Sequence, residues 1–253
     1  MKFVAIIRQV PDGEAKLKEE GGRIDLSGAT MILDQMDEYA VEEIIQLKEK
    51  HGGEAVIVAF GPERTKEAIR TALAMGADRA VFVKHEGDAD PITEARALAQ
   101  VLKEEAPTVV FTGGQQADWD SYALGPAVAE ALGWPSVAWT TQFELLDETK
   151  AKAKHDLDEG AQVVEVALPA VFTTQQGLNE PRYPTLPGIM KAKKKEIKEI
   201  PAEELGVRGA KVEILSQEIV QIERKQKILD GTKEPEKAAE ELVKLLHEEA
   251  KVI

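Results

Sequence analysis

Cysteine is absent from the 253 residues. That excludes disulfides, thiolate nucleophiles, iron–sulfur clusters and zinc–thiolate sites. Histidine is scarce: the four, His51, His85, His155 and His247, lie far apart. None has the short spacing of a ligand pair, so a metal site would need distant convergence. Basic residues are outnumbered, 32 Lys and Arg against 46 Asp and Glu, for a net charge of −14. Holding nucleic acid by its phosphates wants a basic face, and this balance argues against that as a main role. No apolar run approaches the roughly 20 residues of a membrane span. The opening MKFVAIIRQV is short and is followed by Pro11, Asp12 and Gly13, where a secretory signal would run into small residues and a cleavage site. It reads as the buried first strand of a soluble, cytoplasmic protein.

What is present is a large apolar share, 43%, beside 31% charged residues. Disorder needs low hydrophobicity, so a folded core is expected. The first half alternates short apolar runs with helical stripes. Strands are predicted at 2–7, 54–60, 80–83 and 108–112, and helices at 37–50, 64–75, 91–105 and 121–132. That order implies a mostly parallel sheet with helices on both faces. After Gly133 the pattern changes. Residues 138–145, 152–157 and 162–168 alternate around polar turns and predict a small antiparallel element at about 138–168. Residues 169–174 return a strand to the main sheet. From Asn179 three prolines, Pro181, Pro184 and Pro187, oppose regular structure. The remainder reads as an arm without a core of its own, ending in a helix at 235–251.

Ligands in open α/β sheets bind beyond the carboxyl ends of the strands, here around Ile6, Phe60 and Thr112. The turn GGQQADWDS, Gly113 to Ser121, joins a buried strand to a helix. Glycines allow close backbone approach, and a helix start offers free N–H groups to an anion. The same turn also fits an ordinary β–α connection capped by Ser121 or Asp120. Neither G-x-x-x-x-G-K-[ST] nor a G-x-G-x-x-G after the first strand is present, so the reading is a nucleotide held without hydrolysis. Asp34, Asp37, Glu38, Asp118, Asp120, Asp156 and Asp158 have no nucleophile paired with them and suit capping or solvated roles. The run Lys191–Lys195 is read as a solvated helix face. Leu186, Ile189 and Met190 sit in a proline-framed loop. They suit either a transient protein contact or packing on the parent domain.

Three stretches resemble the beta (small) subunit of electron transfer flavoproteins: IRTALAMGADRAVFV (69–83), HDLDEGAQVVEVALP (155–169) and LPAVFTTQQGLNEPRYPTLPGIMKAKKK (168–195). The likeness runs from residue 1 to about 200 and continues more weakly through the arm. The resemblance implies an adenine-nucleotide alpha-hydrolase-like α/β domain over 1–185, with a recognition loop and C-terminal arm at 186–253 packing on a partner. It implies an electron carrier, not a substrate-transforming enzyme. It also implies an obligate heterodimer with an alpha subunit that holds most of the FAD, and AMP in this subunit, with a second FAD in its place in electron-bifurcating members. Flavin dehydrogenases such as acyl-CoA dehydrogenases would deliver electrons, and a membrane quinone oxidoreductase would accept them.

Carried over by position, the nucleotide pocket would use Ala5, Ile6, Asp34, Gln35, Met36, Asp37 and Phe60. It would continue through Gly114, Gln115, Gln116, Ala117, Asp118, Trp119, Asp120, Ser121, Tyr122, Ala123, Leu124 and Gly125. The family's DGDTAQVGP-like stretch reads DWDSYALGP here, with Trp119 in place of glycine and Ala123 in place of glutamine. Tyr183, Leu186, Pro187, Ile189 and Met190 would dock partner dehydrogenases, with Leu186 as the plug. Asp156 matches an acidic position linked to holding the flavin domain. A stand-alone universal-stress-type regulator shares the α/β core but leaves the NEPRYPTLPGIM loop unexplained.

Overall fold

Alternation along the first strand decides the layers. The computed structural model describes residues 1–118, 120–220 and 227–253. In β1, Lys2–Ile7, the side chains of Phe3, Ala5 and Ile7 enter one hydrophobic cluster, and Val4 and Ile6 enter another. Successive strand side chains face opposite sides of a sheet, so both faces of this one are covered, as parallel sheets require. β2 (Gln9–Pro11), β3 (Lys18–Glu20), β4 (Arg23–Asp25) and β5 (Met31–Leu33) make two small antiparallel ribbons, β2 with β5 and β3 with β4. Helix α1, Gln35–His51, follows; its stop is Gly52, at φ 72°, a left-handed cap that favours glycine.

β6 (Glu54–Gly61), α2 (Lys66–Met75), β7 (Arg79–Lys84), α3 (Pro91–Glu105), β8 (Val109–Gly113) and α4 (Leu124–Leu132) complete the alternating half. Next come β9 (Ser136–Asp147), β10 (Lys150–Leu157), β11 (Gly160–Ala167), β12 (Ala170–Thr174), α5 (Leu186–Ala192) and β13 (Ile197–Pro201). Among the described residues the main sheet runs β11-β10-β9-β12-β8-β1-β6-β7-β13. Pairing is parallel from β9 to β13 and antiparallel from β9 to β11. Apolar residues of α1 and α2 cover one face, and those of α3 and α4 the other. Phe111, Phe143 and Phe172 join the antiparallel extension to the main sheet, with ring centroids 4.9–5.5 Å apart.

The expected α/β class and the antiparallel element are present, with three local differences. The fourth helix begins at Leu124 rather than near 121, because Asp120 and Tyr122 hold φ of 48° and 54°, outside the helical region. Residues 197–201, expected within a coreless arm, form β13 and pair with β7. The ribbons at 9–33 were not anticipated, and β3 is fully exposed, so no apolar pattern announces it.

The chain divides into two units, Met1–Gln217 and Glu218–Ile253. The second contains α6 (Pro235–Leu245), continued by a wider turn at Leu246–Ala250, and neither buries any residue. No helix among the described residues is long and apolar enough to cross a membrane.

Gly125 lies where α4 presses on β8 and β12. A Cβ there would collide with the Thr173 methyl and stand 3.1 Å from that of Thr112. Gly125→Ala should therefore cost about 1–3 kcal/mol, read as a lower midpoint in urea unfolding. An unchanged midpoint would show that α4 shifts without penalty.

Candidate functional site

The chain lays β6 and β7 on one side of β1 and then crosses to β8 on the other. The crevice beyond the carboxyl ends of β1 and β8 is thus the switch point where such sheets bind ligands. Asp37, in the first turn of α1, is fully buried there. Its carboxylate accepts the Arg8 N–H at 2.8 Å and the Gly113 N–H at 2.6 Å, tying the two strand ends together. Asp34 caps α1 by accepting the Met36 N–H at 2.9 Å, and accepts the Ala117 N–H at 2.9 Å. One carboxylate thereby fixes both the helix start and the loop after β8. The Thr174 hydroxyl donates to the Met36 carbonyl at 2.8 Å, and the Gly114 N–H to the Thr174 carbonyl at 3.0 Å. A Cβ on Gly113 would meet Asp37 and Met36, and one on Gly114 the Thr174 carbonyl. At these two glycines the protein's own backbone and side chains take the space a Cβ would need.

Burial pushes the Asp37 carboxyl well above its usual range, with Asp34 adding to it and the two N–H donors opposing. Burial likewise raises Asp34. The counter-charge is Arg8, whose guanidinium lies 2.8 Å from Asp118 and 3.2 Å from Glu94. Burial works against the Arg8 charge, but Glu94, Asp118, Asp37 and Asp34 together hold it more firmly protonated than usual. Arg8 Nη1 and Gln9 Nε2 are buried without a partner among the described residues. Unpaired buried donors are costly, and both residues line a cavity of about 550 Å³ together with Phe60, Arg64, Glu94 and Asp118. Arg64 donates to Gln9 Oε1 at 3.0 Å, which turns the Gln9 donor end free.

The expected nucleotide residues divide around this crevice. Phe60 and Asp118 line the 550 Å³ cavity. Asp34, Gln35, Met36, Gln115 and Ala117 line a second one of about 410 Å³, with Pro11 and Gly13. Ala5 and Ile6 are enclosed within β1 and feed the two cores. Gln116 is buried and donates to the Gly113 carbonyl at 3.0 Å. Asp120, Ser121 and Tyr122 are exposed ahead of α4, and Ala123 caps that helix without a side-chain bond. Leu124 and Gly125 are buried in its first turn. Trp119 lies outside the described residues. Arg8, Gln9, Arg64 and Glu94 were missed, although a cation directly after a buried first strand was a readable signal. No group of metal-ligating side chains converges among the described residues.

A second region carries the expected docking residues. Thr185 caps α5, its hydroxyl accepting the Gly188 N–H at 3.2 Å, with Pro187 in the first turn. Tyr183 is 91% exposed, Leu186 73% and Met190 65%, with Ile189 beside them at 43%. The lysine run differs from expectation in one member. Lys191, Lys193 and Lys194 are exposed, but the Lys195 ammonium donates to the Leu73 and Ala77 carbonyls at the end of α2. Free carbonyls at a helix end attract such a cation. Asp156 is exposed on β10 and accepts from the Thr141 hydroxyl at 3.4 Å.

The family model of the electron transfer flavoprotein domain matches residues 22–205. The chain belongs to the electron transfer flavoprotein family. Three relatives, each named electron transfer flavoprotein subunit beta, illustrate the likeness. That of Bacillus subtilis (strain 168) is 38% identical over 260 aligned positions, spanning 100% of both chains. That of Bradyrhizobium diazoefficiens is 40% identical over 85% of this chain and 88% of its own. That of Syntrophomonas wolfei is 44% identical over 78% of each. The name they share places the family among electron carriers rather than enzymes that transform a substrate.

Glu94 supplies a pH test of the crevice. Burial pushes its carboxyl up to about 7, with Arg8 opposing and Asp118 adding. The folded state therefore holds this proton over a range where the unfolded chain has released it. The stability so contributed is full below about pH 4.5 and is lost as pH rises through about 7. Glu94→Gln should flatten the fall in unfolding free energy across that window, measured by denaturant melts. An unchanged slope would exclude Glu94 as the titrating group.

Proposed function

We propose that this chain is the beta subunit of a heterodimeric electron transfer flavoprotein, with AMP held at the switch-point crevice. The observation that carries the reading is the cavity beside Phe60, which the buried Arg8 and Gln9 line. Its volume of about 550 Å³ falls in the usual range for small-molecule sites, roughly 300–1,000 Å³. Arg8 Nη1 and Gln9 Nε2 suit anionic phosphate oxygens, and Phe60 adds an apolar part to the same lining. The FAD, held mainly by an alpha subunit, supplies the redox chemistry when bound. The residues of this chain hold the nucleotide, form one wall beside the flavin domain through Asp156, and present the docking segment. Residues 218–253 wrap the alpha subunit, a reading supported by the unburied α6 with its exposed Leu242 and Val243.

Electrons arrive from flavin dehydrogenases such as acyl-CoA dehydrogenases and leave to a quinone oxidoreductase. Docking through Leu186 is supported by its exposure within an apolar group of four. A small apolar anchor of this kind gives specificity without fixing the rest of the assembly. The neighbouring 410 Å³ cavity favours one second reading, an FAD at the AMP position extending past Gln115 and Ala117.

Co-expression with an alpha subunit, denaturation of the complex and mass analysis of the released nucleotides decides between them. One FAD plus one AMP per heterodimer is the expected result, and two FAD would establish the second reading. No partner and no flavin would overturn both. Leu186→Ala should lower kcat/KM for electron acceptance from an acyl-CoA dehydrogenase by about tenfold or more, the scale of a buried interface anchor. The dimer should stay intact by size-exclusion chromatography. Unchanged kinetics would remove the docking role.

A further inference from the structure

The exposed apolar group stands on a segment that is fastened at both ends. At its start, Asn179 Nδ2 donates to the Tyr39 carbonyl at 3.0 Å and to Glu43 at 2.9 Å, both on α1. Three residues on, the Arg182 guanidinium forks between two carboxylates of the same helix. It meets Glu42 at 2.8 and 2.9 Å and Glu49 at 2.6 and 3.0 Å, and the Arg182 N–H adds a bond to Glu42 at 3.2 Å. Glu42 and Glu49 are seven residues apart, two turns along one helix face. Glu42 is 3% exposed, so this is a largely desolvated partner held by a planar, charge-assisted fork. At its far end, Arg70 of α2 donates to the carbonyls of Ala192 and Lys195. Gly188 sits so close to the Ala74 carbonyl that a Cβ would not fit.

Between these anchors Tyr183, Leu186 and Met190 face outward. Outward apolar side chains do not stabilise the fold, and a loose segment would turn them inward to escape water. The fork opposes that collapse. Ordering a docking element before contact also lowers the entropy lost on association.

We propose that Arg182 is a positioning residue for docking, its fork between Glu42 and Glu49 holding the segment on α1 so that Leu186 is presented already ordered to the partner. The inference rests on the docking reading above, and the experiment separates the two. The FAD-loaded heterodimer is titrated as electron acceptor for a purified acyl-CoA dehydrogenase, using Arg182→Gln, Arg182→Lys, Leu186→Ala and the double variant Arg182→Gln/Leu186→Ala.

Arg182→Gln should raise KM about tenfold with kcat within about twofold, since ordering costs enter binding and not the transfer step. Arg182→Lys should recover part of the loss, because an ammonium keeps the charge without the fork. The double variant should be no worse than Leu186→Ala alone, the signature of two residues acting through one contact. If Leu186→Ala raises KM and Arg182→Gln does not, the positioning role is overturned with docking intact. If Leu186→Ala has no effect, docking itself fails. Strictly additive losses would also overturn the proposal. Should Arg182→Gln fail to fold, Glu49→Gln removes half of the fork at an exposed position. A KM rise of about threefold is then expected, and none would refute the role.

Discussion

A single buried carboxylate holds the centre of this molecule together. The ends of β1 and β8 are 105 or more residues apart in the chain from Arg8 to Gly113, yet both donate backbone N–H groups to Asp37. Parallel strands diverge beyond their last ladder bond, and at a switch point the helices leave on opposite faces. Without an acceptor between them, two backbone donors would be buried unpaired, which is among the more costly defects a fold can carry. Asp37 answers both at once. Its companion Asp34 extends the same device to the loop after β8. The acidic crevice so formed then demands a counter-charge, and the guanidinium of Arg8, directly after β1, supplies it.

Helix α1 is therefore more than a cover for the sheet. Its first turn organises the crevice, its apolar stripe of Ala40, Val41, Ile44 and Ile45 packs into the core, and its acidic side receives Asn179 and Arg182. The first turn of this helix borders the crevice, and the segment with Leu186 is tied along the rest of it, from Tyr39 to Glu49. Glu42 and Glu43 are buried beneath these contacts, whereas Glu49, two turns from Glu42, takes the other half of the Arg182 fork at the solvent-exposed end of the helix.

The layered α/β plan was legible because apolar runs and helical stripes carry it directly. Local departures were not. Asp120 and Tyr122 adopt left-handed backbone angles without being glycine, and nothing in their identity announces that. The KEIKEI stretch around β13 reads as a solvated charged segment, since an edge strand half exposed to water keeps few apolar positions. Lys195 looked like the last of a basic run, but the free carbonyls it meets belong to α2, more than a hundred residues away. At the crevice, Asp34 and Asp37 were named through a family likeness. Their work as cap and cross-strand acceptor depends on partners that only the folded chain brings near. Arg8 was passed over although it directly follows the buried first strand, because the search there was for a phosphate-loop pattern that RQVPDGE does not match.

The segment that carries Leu186 leaves β12 next to β8 and rejoins the sheet as β13, on the far side of β7. It is a crossover spanning two helices, with both termini locked by strand pairing, and not a loop tip. Loop tips drift in length between relatives; a crossover with fixed endpoints is held to the distance it must travel. Its outward residues lie outside the two core clusters, while both of its ends are fixed by the sheet. On the docking reading, the segment is a cassette: its exposed side chains would set partner preference, while the sheet on which it is mounted stays as it is.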